Sequence, residues 1–186
     1  MVLYLYIIAS HLIGDFMLQP NRLITWKKKN IMGILVHVLI LLIVNLVFLF
    51  PYLGYQGFVI GLLLVYLTHF LEDVWKVEFV KRYPNREFPA FVFDQVVHFT
   101  AFTILYWYAL ELIPNLSNPI FAFLYGSIWP VLFLLFITTS SYIYDIIEFQ
   151  IKRIKNKELK YKRNYYGMVK RTIIIIIILS ILNIII

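Results

Sequence analysis

The sequence predicts an all-α fold, a polytopic membrane bundle of about six transmembrane helices, and three observations lead there. Hydrophobic residues make up 62% of the chain and charged residues only 15%, with a mean hydropathy of +0.82, well outside the range of a soluble domain. The apolar residues fall into runs of roughly 18 or more, the length at which a helix crosses the hydrocarbon core. Lys and Arg cluster in alternate connections between those runs, which is the asymmetry that membrane topology imposes.

The first run, 2–19, lacks a basic leader and a small-residue cleavage site and carries an aspartate late in its length. It therefore reads as a retained span rather than a signal peptide. Runs at 31–50, 58–73, 88–112 and 121–144 follow, with Pro130 expected to kink the last of these near its middle. The sixth, 168–186, has a short apolar core, TIIIIIILSILNIII; Tyr165 and Tyr166 are placed for the interface, and Lys170 and Arg171 can snorkel toward it. Residues 1–186 read as a single transmembrane domain. A four-helix core occupies 1–112, and two accessory helices with a basic loop at 149–171 occupy 113–186.

Orientation follows from the basic residues. Arg22, Lys27, Lys28 and Lys29 lie in the first connection, Lys76, Lys81, Arg82 and Arg86 in the third, and KRIKNKELKYKR in the fifth, whereas PYLGYQG and IPNLSNP carry none. The expected topology has both termini outside and the basic loops in the cytoplasm. The net charge of +7 follows from this rule, so the expected partners are membrane lipids, with anionic headgroups drawn to the basic loops, and no nucleic acid is expected.

The chain has no cysteine, so any metal site must use nitrogen and oxygen donors. Its four histidines, His11, His37, His69 and His98, each fall within or at the end of one of the first four spans. Three aspartates stand four residues from a histidine: Asp15 with His11, Asp73 with His69, and Asp94 with His98. On a helix that spacing puts both groups on one face. The histidine comes first in spans one and three and second in span four, which runs the other way. All three carboxylates thus lie nearer the cytoplasm, with the imidazoles about 6 Å deeper, and His37 falls at a similar depth. The string HLIGD…PNR…H returns as HFLED…PNR…H, which suggests two parallel hairpins related by a pseudo-twofold axis.

A charge near the bilayer centre costs from ~2.5 to more than 10 kcal/mol, so seven ionisable groups at matched depth point to a shared site. His11, Asp15, His37, His69, Asp73, Asp94 and His98 are the candidate metal ligands, with Asp15, Asp73 and Asp94 also placed for catalysis. Imidazole and carboxylate suit a divalent metal, zinc first, with manganese or iron as alternatives. Gln19, Glu72 and Gln95 are polar neighbours in the sequence, with Glu72 expected to face water at the end of its span. Arg22, Lys76 and Arg86 could attract phosphate, although the topology reading of these three is the stronger. Asp145 sits at the cytoplasmic end of span five without a histidine partner. No nucleophile elbow, Gly-rich phosphate loop or Ser-His-Asp order is present.

HLIGDFMLQ in the first span, the lone His37 in the second, HFLEDVWK closing the third and DQVVH in the fourth resemble an uncharacterised family of small bacterial and phage membrane proteins of unknown function. The resemblance covers about the first hundred residues. It implies a helical membrane protein, in the bacterial inner (plasma) membrane, and supplies no activity. The pattern of His and Asp at the ends of short membrane helices is more loosely similar to inner-membrane metal-dependent hydrolases. A metal-dependent hydrolase of a lipid or phosphoester is accordingly the first functional expectation. A divalent-cation or proton transporter or channel is the alternative; such sites usually lie near the midplane on broken helices, and spans one to four lack an internal proline. A bis-histidine haem protein, with His37 and His98 as axial ligands, is the third.

Overall fold

The computed structural model describes residues 1–156, 159 and 163–181, and among these there is no strand. Helix α1 (Val2–Leu12) is apolar all round and correspondingly central. Tyr6, Ile7, Ala9, Ser10 and His11 are all fully buried. The helix widens into a π-helical turn, Ile13–Met17, where the Leu18 N–H reaches back to the Ile13 carbonyl at 2.9 Å. Pro20 then sets an extended backbone, ψ 157°, and the chain bends by 90° into α2 (Asn21–Lys27). Asn30 caps α3 (Ile31–Phe48), its side chain accepting the Met32 N–H at 2.8 Å, which satisfies a donor that the first helical turn leaves orphaned.

Helix α4 (Gln56–Arg82) and α5 (Glu87–Tyr108) form a long hairpin through the 3₁₀ turn Pro84–Arg86. Beyond it come α6 (Pro119–Gly126), α7 (Trp129–Ile137), a second π-helical turn (Thr138–Ile143), α8 (Tyr144–Lys155) and α9 (Tyr165–Ile181). Helix α1 packs against α3, α5 and α7, and α9 lies along the second π turn. The sides of α3, α4 and α5 turned away from α1 present exposed Ile43, Val47, Leu64, Leu67 and Val96, an apolar exterior suited to lipid.

Among the described residues, four helices are long and apolar enough to cross a membrane: Ile31–Phe48, Gln56–Arg82, Pro84–Tyr108 and Trp129–Lys155. The bent pair Val2–Met17 and Asn21–Lys27 makes a fifth if it is one span. Several expected boundaries change. The first span is broken at its end, and the third continues past Asp73, so that Lys76, Lys81 and Arg82 lie on the helix rather than in a loop. The fifth runs over Trp129–Lys155 instead of 121–144. Pro130 does not kink it; it sits in the first turn of α7, where its missing N–H has no intrahelical partner to lose. The expected sixth span, 168–186, continues beyond Ile181, and 182–186 lie outside the described residues.

The end of the bundle opposite the basic residues is filled by aromatic rings. Tyr6 stacks on Tyr125 at 4.4 Å and on Phe48 at 6.1 Å, and Tyr52 meets Tyr125 at 5.8 Å. The Tyr6 hydroxyl donates to the Leu124 carbonyl at 2.8 Å and the Tyr125 hydroxyl to the Phe48 carbonyl at 2.6 Å, so both polar tips are satisfied.

Candidate metal centre

Five elements converge toward the basic end of the bundle. Helix α1 brings His11, the π turn Asp15, α3 His37, α4 His69, Glu72 and Asp73, and α5 Asp94 and His98. All eight side chains are buried. The wider π turn carries Asp15 toward α3, and its Oδ1 stands 3.2 Å from His37 Nε2, nearer than the 4.0 Å between its Oδ2 and His11 Nε2. The pairing that dominates is therefore between helices. Asp73 Oδ2 is 3.4 Å from His37 Nε2 and 3.7 Å from His69 Nε2, and His98 Nε2 is 3.3 Å from Glu72 Oε2 and 3.6 Å from Asp94 Oδ1.

Ligand atoms gather in three triads, each with its atoms within 4.8 Å of one another: His11, Asp15 and His98; His37, His69 and Asp73; Glu72, Asp94 and His98. The imidazoles also touch directly. His69 stacks on His98 at 3.9 Å between ring centroids, and His11 lies 5.1 Å from His98 and 5.5 Å from His69. Both ring nitrogens of His11, His69 and His98, and both Glu72 oxygens, have no hydrogen-bond partner. The carboxylates stand close to these rings but outside hydrogen-bonding direction. Each unsatisfied buried group costs about 1–3 kcal/mol, a severe load against a net stability of roughly 5–15 kcal/mol. A cation held by one triad would take one nitrogen from each ring it binds and leave the opposite nitrogen to another partner.

All seven residues expected from the sequence are brought together, and five more join them. Glu72 is the first correction: it is buried, not facing water, because α4 runs on and turns it toward α5. Lys76 is the second; its Nζ bridges Asp94 at 2.6 Å and Asp73 at 2.9 Å, a structural role that the topology reading did not contain. Lys27 Nζ reaches Asp73 at 3.4 Å from α2. The Gln19 amide donates to His37 Nδ1 at 3.1 Å, and the Gln95 amide donates to Asp94 Oδ2 at 2.8 Å. Arg22 and Arg86 are exposed, in keeping with topology signals. Asp145 pairs with Arg171.

Arg163 clamps the broken helix from far along the chain. Its guanidinium donates to the carbonyls of Phe16 and Gln19 at 2.7 Å and of Met17 at 3.0 Å, the very acceptors left free where the helix stops. Nothing in the sequence separates Arg163 from the other basic residues of its run.

The family model described as Protein of unknown function (DUF3307) matches residues 2–124, more than half of the chain. The chain belongs to that family. The DUF3307 segment contains all four histidines, Asp15, Glu72, Asp73 and Asp94, and also Lys27 and Lys76, while Arg163 lies beyond it. No curated protein and no solved structure matches the chain.

Proposed function

We propose that this membrane protein holds a divalent transition metal in the centre built by His11, Asp15, His37, His69, Glu72, Asp73, Asp94 and His98, zinc first, with manganese and iron as alternatives. The observation that carries the reading is the set of overlapping buried His and carboxylate triads in which the ring nitrogens of His11, His69 and His98 have no hydrogen-bond partner. Charge supports it. With neutral imidazoles, four ionised carboxylates facing the ammoniums of Lys27 and Lys76 leave two negative charges, which one divalent ion neutralises.

The chemistry we infer is hydrolysis of a phosphoester or related bond in an amphiphilic substrate. A divalent ion held by these residues would supply a water activated for attack; a carboxylate of the Asp15, Asp73 and Asp94 set would take that water's proton and return it to the leaving oxygen as the ester bond breaks. Asp73 and Asp94 are held by Lys76, so Asp15 is the carboxylate freest to bind metal. The centre lies near the basic end of the bundle, which the positive-inside rule assigns to the cytoplasm. With six spans both termini are outside. The two-hairpin repeat rests on the sequence match, since the first hairpin is broken and the second continuous.

A second reading, divalent-cation or proton transport, gains from one observation: the first span is broken by a π turn at Asp15 and a 90° bend, the kind of interruption that transporter sites use. A haem between His37 and His98 has less support, because the His69 ring packs against both. Elemental analysis of the detergent-purified protein tests the metal reading. About one equivalent of zinc per chain is expected, lost in His98→Ala, which enters two of the three triads. Wild type that carries no metal after incubation with zinc and manganese would reduce the centre to a proton path or polar packing.

A further inference from the structure

Outside the centre, at the basic end of the bundle, a cavity of about 180 Å³ opens between α2, α4 and α5. Four lysines line it, Lys27 and Lys28 from α2 and Lys76 and Lys81 from α4. The only carboxylate in its wall is Glu87, already held by Lys28 at 3.3 Å and by Arg153. Lys81 is likewise paired, with Glu78 at 2.6 Å on the same helix, so the wall is rich in ammonium groups that each have a carboxylate neighbour. An ammonium has three donors; Lys76 gives two to Asp73 and Asp94, and Lys27 approaches only Asp73, so both keep donors to offer. Val77, Val80 and Phe91 supply an apolar side. At roughly 30 Å³ per water, the space matches a small group of waters or one compact anion with a short apolar stem.

We propose that this cavity binds the phosphate headgroup of an amphiphile, the phosphate among Lys27, Lys28, Lys76 and Lys81 and the first methylenes of the chain against Val77, Val80 and Phe91. Lysine suits this ligand as a point charge for a compact oxyanion. Because Lys27 and Lys76 touch both the cavity and the carboxylates of the centre, a phosphate held here sits one side chain from the proposed metal. As the substrate-presenting site, the cavity rests on the hydrolytic reading above; as a binding site, it stands without it.

Binding of dihexanoyl phosphatidic acid, dihexanoyl phosphatidylcholine and inorganic phosphate to the full chain in detergent, by isothermal titration calorimetry, tests this. Saturable binding of the phosphatidic acid alone is expected. Lys28→Ala with Lys81→Ala, both exposed and outside the centre, should weaken it about 25-fold, about fivefold per lysine, whereas Lys29→Ala with Lys152→Ala should change it by roughly twofold at most. Equal losses in the two double variants would reveal diffuse attraction and overturn the site. Inorganic phosphate bound as tightly as the lipid would remove the amphiphile from the proposal. Metal content measured on the same samples separates the two readings: a protein with full zinc and no lipid binding loses only the cavity proposal, and one that binds lipid without any metal loses only the metal centre.

Discussion

Lys76 neutralises two carboxylates with one ammonium, and that economy fixes which residues are available to a metal. Breaking a buried pair by removing one partner costs about 3–5 kcal/mol, so Lys76→Met should lower thermal stability by that order. Added zinc should recover much of the loss, since Asp73 and Asp94 then become open to the ion; a melt insensitive to zinc would separate the lysine from the centre. Asp15, which is not lysine-bridged, gives the complementary test. Asp15→Asn should strip metal from the purified protein, and Asp94→Asn should leave most of it, as read by elemental analysis. At this scale the sequence was legible wherever partners share a helix: the spacing of His11 and Asp15, His69 and Asp73, and Asp94 and His98 is a property of one segment. It did not place Lys27, Lys76 or Glu72 at the centre: Lys27 reaches Asp73, Lys76 reaches Asp94 and Glu72 reaches His98 across helices, and their letters match those of ordinary topology signals and helix ends.

Among the elements, the broken first span does the most to shape the centre. A Cβ built on Gly33 would lie 2.6 Å from the Lys27 backbone nitrogen, so α2 rests on α3 at a contact that has no room for a methyl group. Gly33→Ala should cost about 1–3 kcal/mol and shift Lys27 away from Asp73, visible as a lowered melting temperature with reduced metal content. Arg163 holds the other side of the break through three carbonyls. Partners that orient metal ligands typically matter by about 10–100-fold in affinity, so Arg163→Ala should weaken zinc binding by about tenfold, and Arg163→Lys should not restore it, because an ammonium lacks the planar fork. Zinc titration of both variants checks this. The apolar character of the first four spans was readable from composition. Their breaks were not: a π turn has no residue signature, and Pro20 stands where a span would end in any case. Pro130 was misplaced for a related reason, since a proline read as mid-span became a first-turn proline once Gly126 ended the preceding helix.

For the molecule as a whole, the charge asymmetry makes a prediction that the absence of cysteine renders clean. Single cysteines introduced at Lys29 and at Gly54 should label from opposite sides of sealed vesicles, with Lys29 on the cytoplasmic side. Labelling of both from one side would reject the proposed orientation. The all-helical membrane class followed from hydropathy alone, whereas the folding of α9 onto the second π turn depends on contacts such as Ser141 with Thr172 at 2.9 Å, which link positions 31 residues apart and leave no local trace.

The stacked rings of Tyr6, Phe48 and Tyr125 have an electrical consequence. They form an aromatic plug with satisfied hydroxyls at one end of the bundle, while the centre lies toward the other, so most of a transmembrane voltage should drop across the plug. An ion entering from the basic end would then cross little of the field, worth about 2.3 kcal/mol per charge at 100 mV for a full crossing. Its occupancy should be nearly independent of voltage. Planar bilayers containing the wild type should remain insulating at either polarity, and Tyr6→Ala with Tyr125→Ala should make them conduct; current through the intact plug would give the centre the role of a way-station in a pore.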